Sequence, residues 1–152
     1  MSPGKVQTKV LRERLEWARR MYDHLRALPL SDPQVFAQNP DTVAAAESYL
    51  RRCLEALLDL GRHILAKGYG RAALEYKAIA KDLLEVGVLT PEEARVLSEM
   101  AGYRNRLVHF YAEVTPDDLY ETCAHDLDDI VVIAQAFERW AIGHPERLDT
   151  EL

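Results

Sequence analysis

Val43, Leu50, Leu57 and Ile64 stand seven residues apart along a stretch that contains no proline. Seven residues are close to two turns of an α-helix, so these side chains fall on one face, with Ala46, Cys53 and Leu60 beside them. A helix from about 41 to 66 with so long an apolar stripe must lie against other helices. The flanking sequence supplies them. Leu11, Leu15, Ala18, Tyr22 and Leu25 repeat at helical spacing and predict a first helix over about 6–28. Pro29, Pro33 and Pro40 then interrupt the chain around one short turn at 33–38. Gly68-Tyr69-Gly70 closes the long helix, and Gly87 closes a third, expected over about 72–86.

Two start signals follow. Thr90-Pro91-Glu92-Glu93 places a threonine at the N-cap, a proline at the first helical position and a glutamate where it closes a capping box. Thr115-Pro116-Asp117-Asp118 repeats the pattern. They open a fourth helix to about 112 or 113 and a last one from 115 to about 142. No segment alternates with the period-two pattern of a strand. The expected fold is therefore all-α, an up-and-down bundle of four to five helices. At 152 residues it forms one domain over 1–152, with a core over about 6–142 and a short tail at 143–152.

Composition narrows the function. No apolar run approaches the ~18 residues of a membrane span. The charged residues 1–20 do not resemble a secretory signal. Cys53 and Cys123 have no metal-ligand spacing and suit a reducing, cytoplasmic setting; no zinc or phosphate-loop pattern appears, so no metal or cofactor is expected. A net charge of −6 argues against non-specific nucleic-acid binding through phosphates. The charge is uneven: residues 1–30 carry seven Lys/Arg against three Asp/Glu, whereas residues 113–152 carry two against eleven. The basic first helix is either a solvated face or the border of a groove for RNA or an acidic partner.

The fourth helix carries the chemistry. At about 100° per residue, Val96, Met100, Tyr103, Leu107 and Phe110 form a bulky apolar stripe that reads as core. Leu97, Ala101, Arg104, Val108 and Tyr111 lie next to it, then Ser98, Gly102, Asn105, His109 and Ala112. A glycine inside a helix costs roughly 1 kcal/mol against alanine, and Gly102 beside Ser98 suggests that a second helix approaches there, such as the same helix of a two-fold homodimer. Asn105 and His109 are i,i+4 neighbours, so the amide can orient the imidazole. Arg104 points about 140° away from His109; the two converge only if the guanidinium reaches around the helix or another subunit brings its copy.

Such a trio suits metal-free cleavage of RNA. The imidazole exchanges a proton with the ribose 2′-hydroxyl or the leaving 5′-oxygen, and the guanidinium holds the phosphate and its developing charge. DNA, lacking the 2′-hydroxyl, would be inert.

Arg104-Asn105-x-x-x-His109-x-Tyr111 resembles the R-x4-H-x-Y motif of the HepT-like toxins of the HEPN superfamily. Ala101-Gly102-Tyr103 before it, Leu107-Val108 within it and Val114 after it fit the same pattern. The long second helix, with Glu55-Ala56-x-x-Asp59, also resembles the family's second helix, and the similarity extends over most of residues 8–140. The resemblance implies a helical homodimer with a shared cleft and an RNase that arrests growth. It also implies an MntA-like nucleotidyltransferase antitoxin as partner. Arg104 and His109 would be catalytic, with Asn105 the polar residue beside them, and Tyr111 would accept AMP. AMP would set negative charge and bulk beside the arginine. From the residues alone, the Tyr111 ring could equally pack along its stripe, and Arg106 has no assigned role. The alternative function is a non-catalytic helical dimer that serves as substrate or regulator of a nucleotidyltransferase.

Overall fold

Asn39 decides where the long helix begins: its side-chain oxygen accepts from the backbone N–H of Asp41 and Thr42 at 3.0 and 3.3 Å, ahead of Pro40 at the first helical position. The computed structural model describes residues 4–109 and 114–152. Among them the helices are α1 (Thr8–Arg26), α2 (Pro33–Gln38), α3 (Pro40–His63), α4 (Tyr76–Glu85), α5 (Pro91–Val108), α6 (Pro116–His125) and α7 (Asp128–Gly143). A π-helical turn, Ile64–Gly68, extends α3, and a 3₁₀ turn, Pro145–Arg147, follows α7.

The expected all-α bundle is what the chain forms, and α3 is its axis: it touches all six other helices. Its apolar stripe explains why, since Leu50, Cys53, Leu57, Leu60 and Ile64 are all buried. Gly61 lets α4 and α7 come close. A Cβ there would stand 2.9 Å from Ile79, 3.0 Å from Leu83 and 3.4 Å from Phe137. Gly70 and Gly87, with φ of 65° and 82°, end the preceding helical segments in the left-handed region that glycine tolerates.

Three expected boundaries move. The third helix starts at Tyr76 rather than about 72: residues 71–74 are irregular and are anchored by Arg62 of α3, whose Nε donates to the Ala73 carbonyl at 2.9 Å. The last helix is not continuous over 115–142 but breaks at Asp126 and Leu127. Asp126 leaves helical geometry at φ −114°, ψ 4°, and Asp128 and Asp129 occupy the first turn of α7, where carboxylates favour a new N-terminus. The break also turns Leu127 into the core.

The fourth helix stops at Val108, short of 112. His109 is its C-cap and leaves helical geometry at ψ 133°; the expected continuation of the helix, residues 110–113, lies outside the described residues.

The segment after α7 does not trail away. Val6 donates to Arg147 at 2.8 Å and Asp149 donates to Val6 at 3.0 Å, forming a short parallel bridge. Leu148 is buried in the same core as the helices. No helix among the described residues is long and apolar enough to cross a membrane.

Candidate functional site

Leu97 and Ala101, one helical turn apart on α5, are fully buried, and Arg104 is the next residue of that stripe. Val96 and Met100, expected at the centre of the core, are slightly less deep, at 5% and 6% exposure. Arg104 therefore follows the two most deeply buried residues of α5. A guanidinium leaving beside them needs polar partners, and α3 and α4 provide them.

Glu55 Oε2 accepts from Arg104 Nη2 at 2.9 Å and from Nε at 3.2 Å. Its Oε1 accepts from Arg51 Nη1 at 2.6 Å, one turn earlier on α3. Arg104 Nη1 donates to Asn105 Oδ1 at 3.2 Å. The Arg104 guanidinium lies over the Tyr76 ring, 4.6 Å from its centre, and Arg62 lies over the same ring at 4.7 Å. The Tyr76 hydroxyl donates to Asp59 Oδ1 at 2.9 Å. Partial burial, followed by that hydrogen bond, raises the phenol's pKa, so Tyr76 stays neutral.

Arg104, Asn105, Tyr76, Arg62 and Lys77 line an open groove of about 520 Å³ between α5 and the start of α4. Its polar lining suits a charged ligand better than an apolar one.

His109 stands apart from this cluster. It is the C-cap of α5, with φ −83° still near helical, so its Cβ keeps the place a helix gives it four residues after Asn105. Its ψ of 133° is no longer helical. The residue is exposed, whereas the Arg104 side chain is 23% exposed, and no hydrogen bond among the described residues joins His109 to Arg104 or Asn105. One chain thus brings Arg104 and Asn105 together and leaves His109 on the outward side. Tyr111 lies outside the described residues.

Ser98 is exposed, and a Cβ added at Gly102 would meet nothing within 4 Å. No packing among the described residues accounts for the glycine. Gly102 instead edges a second cavity of about 540 Å³, shared with Leu50, Tyr103, Arg106 and Thr122. The Tyr103 hydroxyl is buried there without a hydrogen-bond partner among the described residues, and Arg106 is exposed above the Tyr103 ring at 5.6 Å. On the basic first helix, Lys9, Arg19 and Arg20 pair at 3.8–3.9 Å with Glu13, Glu138 and Glu16 in mostly exposed contacts. That is the behaviour of a solvated face.

Glu55, Tyr76 and Arg62 were not singled out from the sequence as site residues. A signal existed for Glu55: it is one half of the Glu55-Ala56-x-x-Asp59 pattern, a half-buried carboxylate on the most buried helix. Its partner lies 49 positions away, and no local spacing reveals that.

The class of this helical bundle, with Arg104 and Asn105 on an open polar groove and His109 apart on the same helix, follows from the comparisons. The family profile described as Ribonuclease HepT-like matches residues 18–137, and the chain belongs to that family. A curated relative, the tRNA nuclease HepT of Aphanizomenon flos-aquae, is 25% identical over 145 residues, covering 95% of this chain and 98% of that protein. Among solved structures, the fold is similar to a tri-AMPylated HEPN toxin of Shewanella oneidensis in complex with its MNT antitoxin. The TM-score is 0.78 at 21% identity, covering 86% of this chain and 97% of that one. It is also similar to the cytosolic protein YutE of Bacillus subtilis, with TM-score 0.67 and 21% identity over 89% of this chain and 92% of that one.

Proposed function

We propose that the chain is the toxin of a toxin–antitoxin pair, a metal-independent endoribonuclease acting on RNA of the tRNA class. The observation that carries this is the hydrogen-bonded Arg104–Asn105 pair lining an open polar groove, with His109 exposed at the end of the same helix. Arg104 would hold the scissile phosphate and stabilise the pentacoordinate charge, Asn105 would align it, and His109 would move the proton. Because Arg104 and His109 leave α5 on different sides, the site needs a homodimer, in which one subunit's His109 completes the groove of the other. The open space at Gly102 and exposed Ser98 supports close approach of a second helix at that face. The tRNA class comes from the name of the curated relative.

Regulation by an MntA-like nucleotidyltransferase antitoxin, which transfers AMP to Tyr111, is the second part of the proposal. Its support is the motif tyrosine two residues after His109 and the AMPylated, antitoxin-bound state of the Shewanella neighbour.

The test is cleavage of tRNA by the purified, unmodified protein. Arg104→Ala and His109→Ala should each abolish it, and a substrate with 2′-deoxyribose at the cleaved position should resist. Cleavage that survives His109→Ala, or that requires a divalent cation, would sink the proposal. One observation favours the alternative of a non-catalytic dimer modified by a nucleotidyltransferase: Arg104 is already paired with Glu55. In that case AMP would be incorporated into the wild type and not into Tyr111→Phe, with no RNA cleaved.

A further inference from the structure

We infer that Glu55 is a positioning residue of this site: it aims the Arg104 guanidinium into the groove, with the Tyr76 ring and Arg51 as supports. Its functional half rests on the nuclease reading above. Arginine has five N–H donors in a rigid fork. Among the described residues three are engaged, Nε and one of Nη2 by Glu55 and one of Nη1 by Asn105. One donor remains on each terminal nitrogen. That pair can donate to two oxygens of one phosphate end-on. Glu55 therefore sets the plane of the fork and leaves its phosphate-binding edge to the groove.

The Tyr76 ring fixes the plane a second way, through the 4.6 Å contact with the guanidinium, and is itself tethered by its hydroxyl to Asp59. Arg51 has a different part. Glu55 is 22% exposed, and a carboxylate so enclosed is costly when unpaired. With Oε1 held by Arg51, Arg104 can lean toward a phosphate without leaving Glu55 bare. A mere tie between α3 and α5 would need none of this arrangement. It would affect stability and not turnover.

The experiment compares the full-length wild type with Glu55→Gln and Glu55→Asp in steady-state tRNA cleavage, alongside thermal melts. It also records the Arg104 Nε–Hε resonance by nitrogen–proton NMR, assigned by its disappearance in Arg104→Lys. In Glu55→Gln, kcat should fall roughly 10- to 100-fold, as for a misplaced catalytic group, with KM little changed. Glu55→Asp, one methylene shorter, should lose less. The Arg104 resonance should be sharp and slowly exchanging in the wild type and broadened in Glu55→Gln. Wild-type kcat in folded Glu55→Gln, or an unchanged Arg104 resonance, overturns the inference. If Glu55→Gln does not fold, the same two readouts in Glu55→Asp decide. A wild type that cuts no RNA defeats the nuclease reading, and the resonance then still shows whether Glu55 holds Arg104.

Discussion

Arg104 occupies the end of a buried stripe, and its surroundings follow from that position. A lysine there would keep the charge but not the fork. Its single ammonium cannot donate to Glu55 from two nitrogens, reach Asn105 and sit over Tyr76 together. Arg104→Lys should therefore lower the cleavage rate by at least about 100-fold, while the melting temperature changes far less than in Arg104→Ala, which strands the Glu55 carboxylate beside Arg51 alone. Single-turnover cleavage and thermal melts check both halves. Lysine activity close to wild type would mean that charge, not geometry, is what Arg104 supplies.

Helix ends are where local chemistry speaks most clearly. At the start of α5, Thr90 Oγ1 accepts from Glu93 N–H at 3.2 Å and Glu93 Oε1 accepts from Thr90 N–H at 2.9 Å. Glu93 also binds Arg139 of α7 through both oxygens at 2.6 Å, and that guanidinium is the main reason its carboxyl pKa lies below the ordinary value. The cap thus joins two helices as well as starting one. Thr90→Ala should cost about 1 kcal/mol, measured by denaturant unfolding, and the loss should carry over into a weakened Arg139 contact. A loss confined to a few tenths of that would show that Glu93 keeps its place through Arg139 alone. Thr115 and Asp118 repeat the box at α6. The start at Asp128 has no such cap, and for that reason the break between α6 and α7 is hard to see from spacing alone.

Across the molecule, residues 6–8 close on residues 147–150. Asp149 Oδ1 accepts from the first helical N–H of α1 at Thr8, 2.9 Å away, and the Thr8 hydroxyl donates to the Thr150 carbonyl. Arg147 reaches the Gly68 carbonyl and lies over the Tyr69 ring at 4.1 Å, while Trp140 donates to the Tyr69 hydroxyl. His63, at the end of α3, accepts from Gln7 N–H through Nε2 at 3.0 Å, which requires the neutral ring. Burial first, then Lys67 and Arg14, push its pKa below the ordinary 6.5, with Asp149 opposing. The neutral form is therefore favoured in the fold. Its contribution is complete above about pH 6.5, and it is lost as pH falls toward the lower folded value, because the unfolded chain takes the proton first. Melting temperature should fall from about pH 7 to about pH 5 more steeply in wild type than in His63→Gln. Equal slopes would remove His63 from the clasp.

The amino-acid sequence by itself determined the all-helical class, the starts of α2, α3, α5 and α6, and the stretch in which the chemistry lies. These depend on contacts a few residues apart: caps, prolines, and apolar side chains at helical spacing. It could not say that α5 ends at Val108, since no glycine or proline marks that end. Nor could it show that Arg104 faces inward to Glu55 and Tyr76 while His109 faces out. Glu55 and Arg104 are 49 residues apart, and only the packing of α5 against α3 and α4 brings carboxylate, ring and guanidinium within reach. The free energy that orients the arginine is tertiary in origin.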